Sequence, residues 1–313
     1  MPFPYSLEEI NARVRNEKGD FAKECEAIYS RKVLEAAAVI KEKSEFSHVA
    51  FLSGPSGSGK TTTALKVCHA LESLGINATT VSLDKYYKPY NPETSPHTPD
   101  GEPDLESPYC LDLDMLGEHF HALDRGDEVI IPHFSFKLQA RDPSKEVPLR
   151  LRGNDVVIFE GIHALNDMLT SEHPESFKLY ISARSDVEKG GEIWFKRTWM
   201  RLLRRVVRDE NFRATDAPET LTMWANVRLG EKKYISPFKH KADILFDSSM
   251  PYEIPVMKRF ALKALSNVPE KADRLNELLG LLPALEEFEA MDDAFVPPDS
   301  ILREFIGGGT FKY

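Results

Sequence analysis

The segment GPSGSGKT (54–61) constrains this chain more than any other feature, because it matches the pattern GxxxxGK[ST]. It directly follows the apolar run VAFL (49–52) and opens a stretch with apolar residues at helical spacing that ends at Gly75. A chance match to the pattern is expected in roughly one chain of this length per hundred, before this context is required. The sequence therefore predicts a phosphate-binding loop between a strand and a helix.

Each part of such a loop has a physical task. Glycines let backbone N–H groups approach the phosphates, and the helix N-terminus adds partial positive charge. Lys60 can reach the β- and γ-phosphates, and the Thr61 hydroxyl can ligate Mg²⁺. The expected contacts to nucleotide are Gly54, Ser56, Gly57, Ser58, Gly59, Lys60, Thr61 and Thr62.

Short apolar runs separated by helical stretches indicate an α/β fold. The runs are VAFL (49–52), TTVSL near 81, EVII near 129, DVVIFE near 157, KLYIS near 180 and ADILF near 244. Such runs are typical of parallel strands buried on both faces. We predict a three-layer sandwich of the P-loop NTPase class, with a mainly parallel sheet of about five strands, a lid and helical extensions at both ends.

The organisation along the chain follows from the same patterns. A helical N-terminal extension that looks like an appendage is expected at 1–46, a P-loop domain at 47–250, and C-terminal helices with a tail at 251–313. Two stretches resist the strand and helix alternation, namely 85–127, whose first half is rich in proline, and 133–154, which reads as a hairpin. We predict that both are substrate-binding insertions.

The composition limits the partners. Forty basic and fifty acidic residues give a net charge of −10, which argues against a surface that binds nucleic acid or anionic lipid. Three cysteines without paired spacing predict no disulfide framework. The apolar runs are far shorter than the ~20 residues of a membrane span, and the N-terminus lacks a signal-peptide core. We expect a cytoplasmic protein with a small-molecule substrate and no membrane partner; homo-oligomer formation stays open.

Two acidic residues stand at the ends of predicted strands, where open α/β sheets place ligand contacts. Asp84 follows the second strand, and its carboxylate could accept the proton of an attacking hydroxyl. Its alternative is a turn-capping aspartate. Glu160 ends the strand DVVIFE, where the second acidic ligand of a magnesium site is expected, and a capping or salt-bridged carboxylate is the alternative.

One dense basic stretch runs from Lys196 to Arg213 in this acidic chain. In a helix, Arg201, Arg204 or Arg205, and Arg208 share one face, a row of guanidinium groups suited to a polyphosphate. A solvated amphipathic face or a nucleic-acid patch are the alternatives. We favour a lid over ATP at about 196–216.

Four motifs in order resemble the uridine kinase branch of the uridine kinase and phosphoribulokinase superfamily. They are GPSGSGKTT (54–62), SLDKYY (82–87), DVVIFEGIHALN (155–166) and RLLRRVVRDENFR (201–213). The tail SILREFIGG (300–308) is similar to a bacterial uridine-kinase-like subgroup.

The resemblance implies a kinase that uses ATP and Mg²⁺. It implies that Asp84 is the general base, and that Lys60, Arg208 and Arg213 hold the phosphates of ATP. The residues that would bind the metal are Thr61, Glu160 and Asp84. The expected acceptor contacts are Asp84, Tyr87, Glu106, Phe134, Gln139, Arg141, His163 and Arg205.

The acceptor half departs from the family pattern. The ribose-binding FDHPD motif reads LESPY (105–109), which leaves Glu106 to chelate a diol, and YDFxxHxR reads FSFKLQAR (134–141). A nucleoside kinase for uridine or cytidine is the first hypothesis. A kinase for another polyol, sugar or sugar phosphate, with Lys137 and Arg141 as cationic contacts, is the second. A non-catalytic ATP-binding regulator is the third.

Overall fold

Five parallel strands form a central sheet in the residues that the computed structural model describes, which are 4–266, 268 and 275–312. The strands are β1 Val49–Ser53, β2 Ala78–Ser82, β3 Val156–Glu160, β4 Phe177–Ser182 and β5 Ile244–Asp247. Their order across the sheet is β5, β4, β1, β3, β2, and each neighbouring pair is parallel. The predicted α/β fold with a mainly parallel sheet is confirmed.

Helices flank this sheet, and further helices precede and follow the sheet strands along the chain. Within the described ranges, none of them combines the length and apolar character needed to cross a bilayer. They are α1 Leu7–Asn16, α2 Lys18–Lys43, α3 Lys60–Ser73, α4 Leu113–Asp124, α5 Asp167–Thr170, α6 Arg197–Phe212, α7 Ala217–Gly230, α8 Glu253–Leu265, α9 Leu275–Glu286 and α10 Arg303–Ile306.

Alternate residues of the strands pack into two hydrophobic layers, one on each face of the sheet. In β1, Ala50 and Leu52 belong to one layer, whereas Val49 and Phe51 belong to the other. The first layer includes buried residues of α2, α3, α6 and α8, and the second includes those of α4. The inner strands β1, β3 and β4 are buried on both faces, which explains their near-continuous apolar runs and gives the three-layer sandwich.

Shorter elements connect these layers. A π-helical segment, Glu231–Ile235, continues α7. The 3₁₀ segments are Leu83–Tyr86, Pro108–Cys110, Pro143–Lys145, Ser236–Lys241 and Asp293–Phe295. The strands outside the central sheet are Tyr5–Ser6, Val129–Ile131, Phe134–Ser135, Ala140–Arg141, Val147–Leu149, Val187–Lys189 and Glu192–Phe195.

The run EVII near 129 does not join the parallel sheet, contrary to expectation. Its strand Val129–Ile131 pairs antiparallel with Val147–Leu149. Only one face of this strand is covered, because Val129 and Ile131 are buried whereas Ile130 is 49% exposed. An apolar run alone does not distinguish a buried parallel strand from such a hairpin.

The N-terminal helices pack on the sheet domain instead of forming a separate appendage. Buried residues of α1 and α2 belong to the same hydrophobic layer as those of α3 and α8. The hydroxyls of Tyr29 in α2 and Thr63 in α3 share a hydrogen bond of 2.5 Å. The apolar stripe of these helices is therefore covered by the P-loop helix and its neighbours.

The C-terminal tail returns to the P-loop. Ile301, Leu302 and Phe305 have no exposed surface, and the side chain of Ile301 closes against Gly59, where a Cβ atom would clash with it. The helical stretch predicted after Pro251 is present as α8 and α9, and residues 267 and 269–274 between them lie outside the described residues.

Candidate active site

Glycine is required at several positions of the loop that joins β1 to α3. Gly57 and Gly59 have φ angles of +73° and +82°, in the left-handed region that other residues rarely adopt. At Gly54, a Cβ atom would clash with the carbonyl oxygen of Ile181. The loop therefore follows the strand closely and presents the N-terminus of α3 to the space above the sheet.

A cavity of about 740 Å³ lies at the carboxyl end of the sheet, above this loop. It brings together residues from the loop, the strand ends, the insertion 85–127 and α6, which are distant in sequence. The predicted residues that line it are Ser56, Gly57, Gly59, Lys60, Thr61, Asp84, Tyr87, Glu106, Glu160, Arg205, Arg208 and Arg213.

Acidic and hydroxyl oxygens collect at the end of β3. Thr61 Oγ1 donates a hydrogen bond of 3.4 Å to Glu160 Oε1. Burial raises the pKa of Glu160 to about 7, against the opposing effect of the Lys60 ammonium. Asp84 lies in the 3₁₀ turn Leu83–Tyr86, its backbone N–H donates to Ser82 Oγ at 3.3 Å, and its side chain is exposed in the cavity. The set offers the oxygen donors that Mg²⁺ prefers.

Lys60 lies in the floor of the cavity. Its Nζ donates to the Pro55 carbonyl oxygen at 3.3 Å. Burial lowers the pKa of Lys60, whereas the charges of Glu160 and Asp84 oppose that change. The Glu160 and Asp84 carboxylates of the same cavity thus favour the charged form of Lys60.

Three arginines of the basic stretch face the cavity around one buried carboxylate. Arg208 Nη2 lies 2.6 Å from Asp209 Oδ1, Arg205 Nε lies 3.3 Å from Asp209 Oδ2, and Arg213 Nε lies 3.7 Å from Asp209 Oδ1. Arg205 Nη1 also donates to Ser56 Oγ at 2.9 Å. Because three guanidinium groups share the single Asp209 carboxylate, this part of α6 presents a net positive charge to the cavity.

The predicted row of guanidinium groups is divided, because Arg201 and Arg204 do not line this cavity. Arg204 has no exposed surface; its Nε donates to Glu253 at 3.1 Å and its Nη1 donates to the carbonyl oxygens of Gly57 and Ser58. Helix α6 is buried on several sides. Arginines that were predicted to share one face therefore contact different parts of the protein. Arg204 and the Nε of Arg201, which donates to the Ser56 carbonyl oxygen at 3.1 Å, therefore support the loop instead of lining this cavity.

Glu106 stands opposite the P-loop, on the insertion 85–127. Burial raises the pKa of Glu106 to about 7, and the cations of Arg205 and Lys60 act in the opposite direction. A Cβ atom at Gly230 of α7 would clash with the Glu106 side chain, so glycine there makes room for it. No sequence signal marks Gly230, because it lies inside a helical pattern.

Four predicted acceptor contacts do not line the cavity. Gln139 is exposed with a φ of +50°, and its amide bonds the Phe136 carbonyl oxygen. Arg141 Nη2 pairs with Asp112 at 2.7 Å. His163 is buried, and burial lowers its pKa to about 4.

The fourth, Phe134, is buried in a cluster of aromatic rings. Its ring lies 5.9 Å from that of Tyr87 and 5.2 Å from that of Phe136, measured between centroids. Phe136 lines the cavity and is 54% exposed. In this hairpin, Phe136 lines the cavity, and the buried ring of Phe134 packs against the ring of Phe136.

Gly54, Ser58 and Thr62 also lie outside the lining of the cavity. The Ser58 carbonyl oxygen accepts a hydrogen bond of 2.7 Å from Ser248. The Thr62 hydroxyl donates to Glu304 of the tail at 2.6 Å. These loop residues are therefore engaged by neighbouring protein groups.

Glu304 of the tail lines the cavity and contacts the P-loop, although it was not among the predicted site residues. Besides the Thr62 hydroxyl, its carboxylate accepts from the Thr62 backbone N–H at 3.3 Å. A second cavity of about 520 Å³ adjoins the first at this point. It is lined by Thr61, Arg208, Phe212, Arg213, Arg303, Glu304, Gly307, Gly308, Gly309 and Phe311. The only signal in the sequence was the similarity of SILREFIGG (300–308) to a subgroup of the family, and this similarity assigned no role to Glu304.

The model of the Phosphoribulokinase / Uridine kinase family matches residues 49–254 of this chain. The chain belongs to this family. A uridine kinase of Saccharomyces cerevisiae is 30% identical over 199 residues, which are 63% of this chain and 36% of the yeast protein. A uridine kinase of Brevibacillus brevis is 28% identical over 198 residues, which are 62% of this chain and 81% of that protein.

Among solved structures, a D-glycerate 3-kinase from Cryptococcus neoformans is 15% identical with a TM-score of 0.48. It is matched over 67% of this chain and 89% of its own. The match to the family model covers the sheet, the P-loop, the insertions and α6. It leaves out the N-terminal helices and the tail that carries Glu304.

Proposed function

We propose that this protein transfers the γ-phosphoryl group of ATP to a hydroxyl of a small molecule, with a uridine or cytidine nucleoside as the acceptor. The observation that carries the proposal is the single cavity that Lys60, Asp84 and the arginines of α6 line together. Phosphoryl transfer requires a phosphate cradle, a proton acceptor and positive charge around the transferring group. The P-loop with Lys60, the Asp84 carboxylate and the arginines of α6 are our candidates for these three roles.

The reaction follows from this arrangement. The Asp84 carboxylate accepts the proton of the acceptor hydroxyl while the hydroxyl oxygen attacks the γ-phosphorus. The new P–O bond forms while the bond from the γ-phosphorus to the β,γ-bridging oxygen breaks, and ADP leaves with the bonding electrons. Lys60, Arg208 and Arg213 stabilise the negative charge on the transferring group and the leaving group.

The oxygen donors at the end of β3 fit Mg²⁺. Thr61 and Glu160 are hydrogen-bonded to each other, and Asp84 lines the same cavity, so all three present hard oxygen ligands. When bound, the ion would neutralise charge on the β- and γ-phosphates. The raised pKa of Glu160 reflects a buried carboxylate that a cation would stabilise.

The adjoining cavity under the tail has the properties expected for the nucleoside half of the donor. It continues from the P-loop at Thr61, and it is walled by the rings of Phe212 and Phe311 and by a glycine run. Its volume of about 520 Å³ lies in the usual range for small-molecule sites. A triphosphate that points its γ-phosphoryl group at Asp84 would extend in this direction.

On the acceptor side, a carboxylate and aromatic surface favour a nucleoside. Glu106 can accept hydrogen bonds from a vicinal diol, and Tyr87 and Phe136 offer ring surface for a base. The uridine kinases among the relatives agree with this choice. Arg141 is paired with Asp112, which removes a cationic contact that the sugar phosphate alternative required.

The test is an assay of ATP consumption by the purified chain over a panel of nucleosides, polyols and sugar phosphates, with Asp84→Asn as the matched control. We expect turnover with uridine or cytidine that Asp84→Asn lowers. Turnover with polyols alone would keep the chemistry and overturn the nucleoside. ATP binding without turnover on any acceptor would favour the regulator and overturn the kinase.

A further inference from the structure

A second group of cations surrounds a separate cavity of about 220 Å³. The cavity lies between the end of β4, the start of α6 and the segment that follows α7. Within the described residues, it shares no lining residue with the catalytic cavity or with the cavity under the tail.

The lining of this cavity is strongly positive. It has one carboxylate, Glu231, and five cationic side chains, which are Arg184, Arg197, Arg201, Arg228 and Lys239. Five cations minus one anion leave a formal charge of +4 in a chain whose net charge is −10. A positive concave surface of this kind raises the local concentration of anions.

Arg201 supplies independent evidence that this cavity binds a hydrogen-bond acceptor. Its side chain is 4% exposed, and its Nη1 donates to both Glu231 oxygens at 3.0 Å while its Nε donates to the Ser56 carbonyl oxygen at 3.1 Å. Nη2 is buried and has no acceptor among the residues that the structure describes. A buried donor without a partner is rare, because its lost hydration is not replaced.

The remaining groups of the lining also suit an anion. Ser182, Thr198 and Ser236 contribute hydroxyls. The volume is below the roughly 300 Å³ at which sites for whole drug-sized ligands begin. It fits one oxyanion or one phosphoryl group.

We propose that this cavity is a second anion site, which binds inorganic phosphate or the phosphoryl group of a small phosphorylated metabolite. Planar guanidinium groups recognise phosphate oxygens in pairs, and several of them around one ion satisfy its charge and its acceptors together. The ion also supplies the acceptor that Nη2 of Arg201 lacks. This site is separate from the P-loop and does not depend on the proposed reaction.

The experiment measures phosphate binding by calorimetry with the full chain and three variants. Arg184→Gln/Lys239→Gln removes two cations for which the described residues offer no ion pair. Arg31→Gln/Lys263→Gln removes the same charge from exposed positions outside the cavity and serves as the matched control. Lys60→Ala removes a phosphate contact of the P-loop. Glycerol phosphate is titrated beside inorganic phosphate to distinguish the two ligand sources.

We expect phosphate or glycerol phosphate to bind wild type, the control and Lys60→Ala, and to bind Arg184→Gln/Lys239→Gln at least about tenfold more weakly. Tighter binding of glycerol phosphate would identify a phosphorylated metabolite, and equal or tighter binding of inorganic phosphate would identify the free ion. Equal binding by both double variants, or complete loss in Lys60→Ala, would overturn the proposal. Thermal melts of each variant show that it is folded.

Discussion

On the donor side of the catalytic cavity, the P-loop rests on Arg204, which has no exposed surface and bonds the carbonyl oxygens of Gly57 and Ser58. On the acceptor side, the hairpin that carries Phe136 leaves that ring 54% exposed and Leu138 67% exposed. Transferring a phosphoryl group requires fixed geometry, whereas acceptor choice can be altered by changing a few side chains on a surface loop. Under the proposed function, phosphoryl transfer and acceptor choice therefore depend on parts of this molecule that differ in burial.

The largest effect is expected from Lys60→Ala. The ammonium faces the position where charge builds on the β- and γ-phosphates, so turnover should fall by about 1,000-fold or more. Binding of ATP, measured by calorimetry, should weaken as well. Lys88→Ala, an exposed lysine outside the cavity, is the control. Near-normal turnover in Lys60→Ala would remove the P-loop from the mechanism.

The support of the P-loop should be the next most sensitive point. Glu253→Gln leaves the buried Arg204 cation without its charged partner, so the free energy of unfolding should fall by about 3–5 kcal/mol. Urea denaturation measures this change. The double variant Arg204→Met/Glu253→Leu removes both charges and should recover much of the loss. A single variant as stable as wild type would show that the pair does not hold the donor side rigid.

Asp84→Asn should keep the fold and the affinity for ATP but lower kcat by roughly 100-fold, the usual scale for loss of a general base. The side chain is exposed in the cavity, so its removal leaves no buried group unpaired. Steady-state kinetics and calorimetry separate the two effects. A loss under about tenfold would make Asp84 a turn-capping residue.

The smallest effect should come from the acceptor side. Glu106→Gln should raise the KM for a diol acceptor by about tenfold with little change in kcat, because a charged acceptor makes stronger hydrogen bonds than an amide. Initial rates over a range of acceptor concentrations give both constants. A fall in kcat with an unchanged KM would place Glu106 with the catalytic groups.

The same residue predicts a pH dependence. Burial raises the pKa of Glu106 to about 7, so its carboxylate is charged above that pH and protonated below it. The KM for the acceptor should therefore decrease as the pH rises from about 6 to about 8. The KM of Glu106→Gln should stay flat over this range. A parallel decrease in both proteins would assign the titration to another group.

Much of the site could be predicted because its residues are tied to local pattern. The P-loop is a continuous segment, and Asp84 and Glu160 each follow an apolar run, so the parallel sheet brings their strand ends to one edge. The acceptor contacts were harder to place. Gln139 and Arg141 lie in a hairpin whose turn, with a φ of +50° at Gln139, directs the side chains away from the cavity.

The P-loop, the apolar runs that form the five parallel strands and the position of each strand-end carboxylate follow from local sequence, since period and turn chemistry act over a few residues. Tertiary packing excluded the sixth run, near 129, from the parallel sheet and selected which arginines of α6 line the cavity above the P-loop, because both outcomes depend on neighbours distant in sequence. It also decided that Glu304 meets Thr62, a contact across 242 positions of sequence. No local pattern encodes such a contact, because it depends on how whole layers pack against each other.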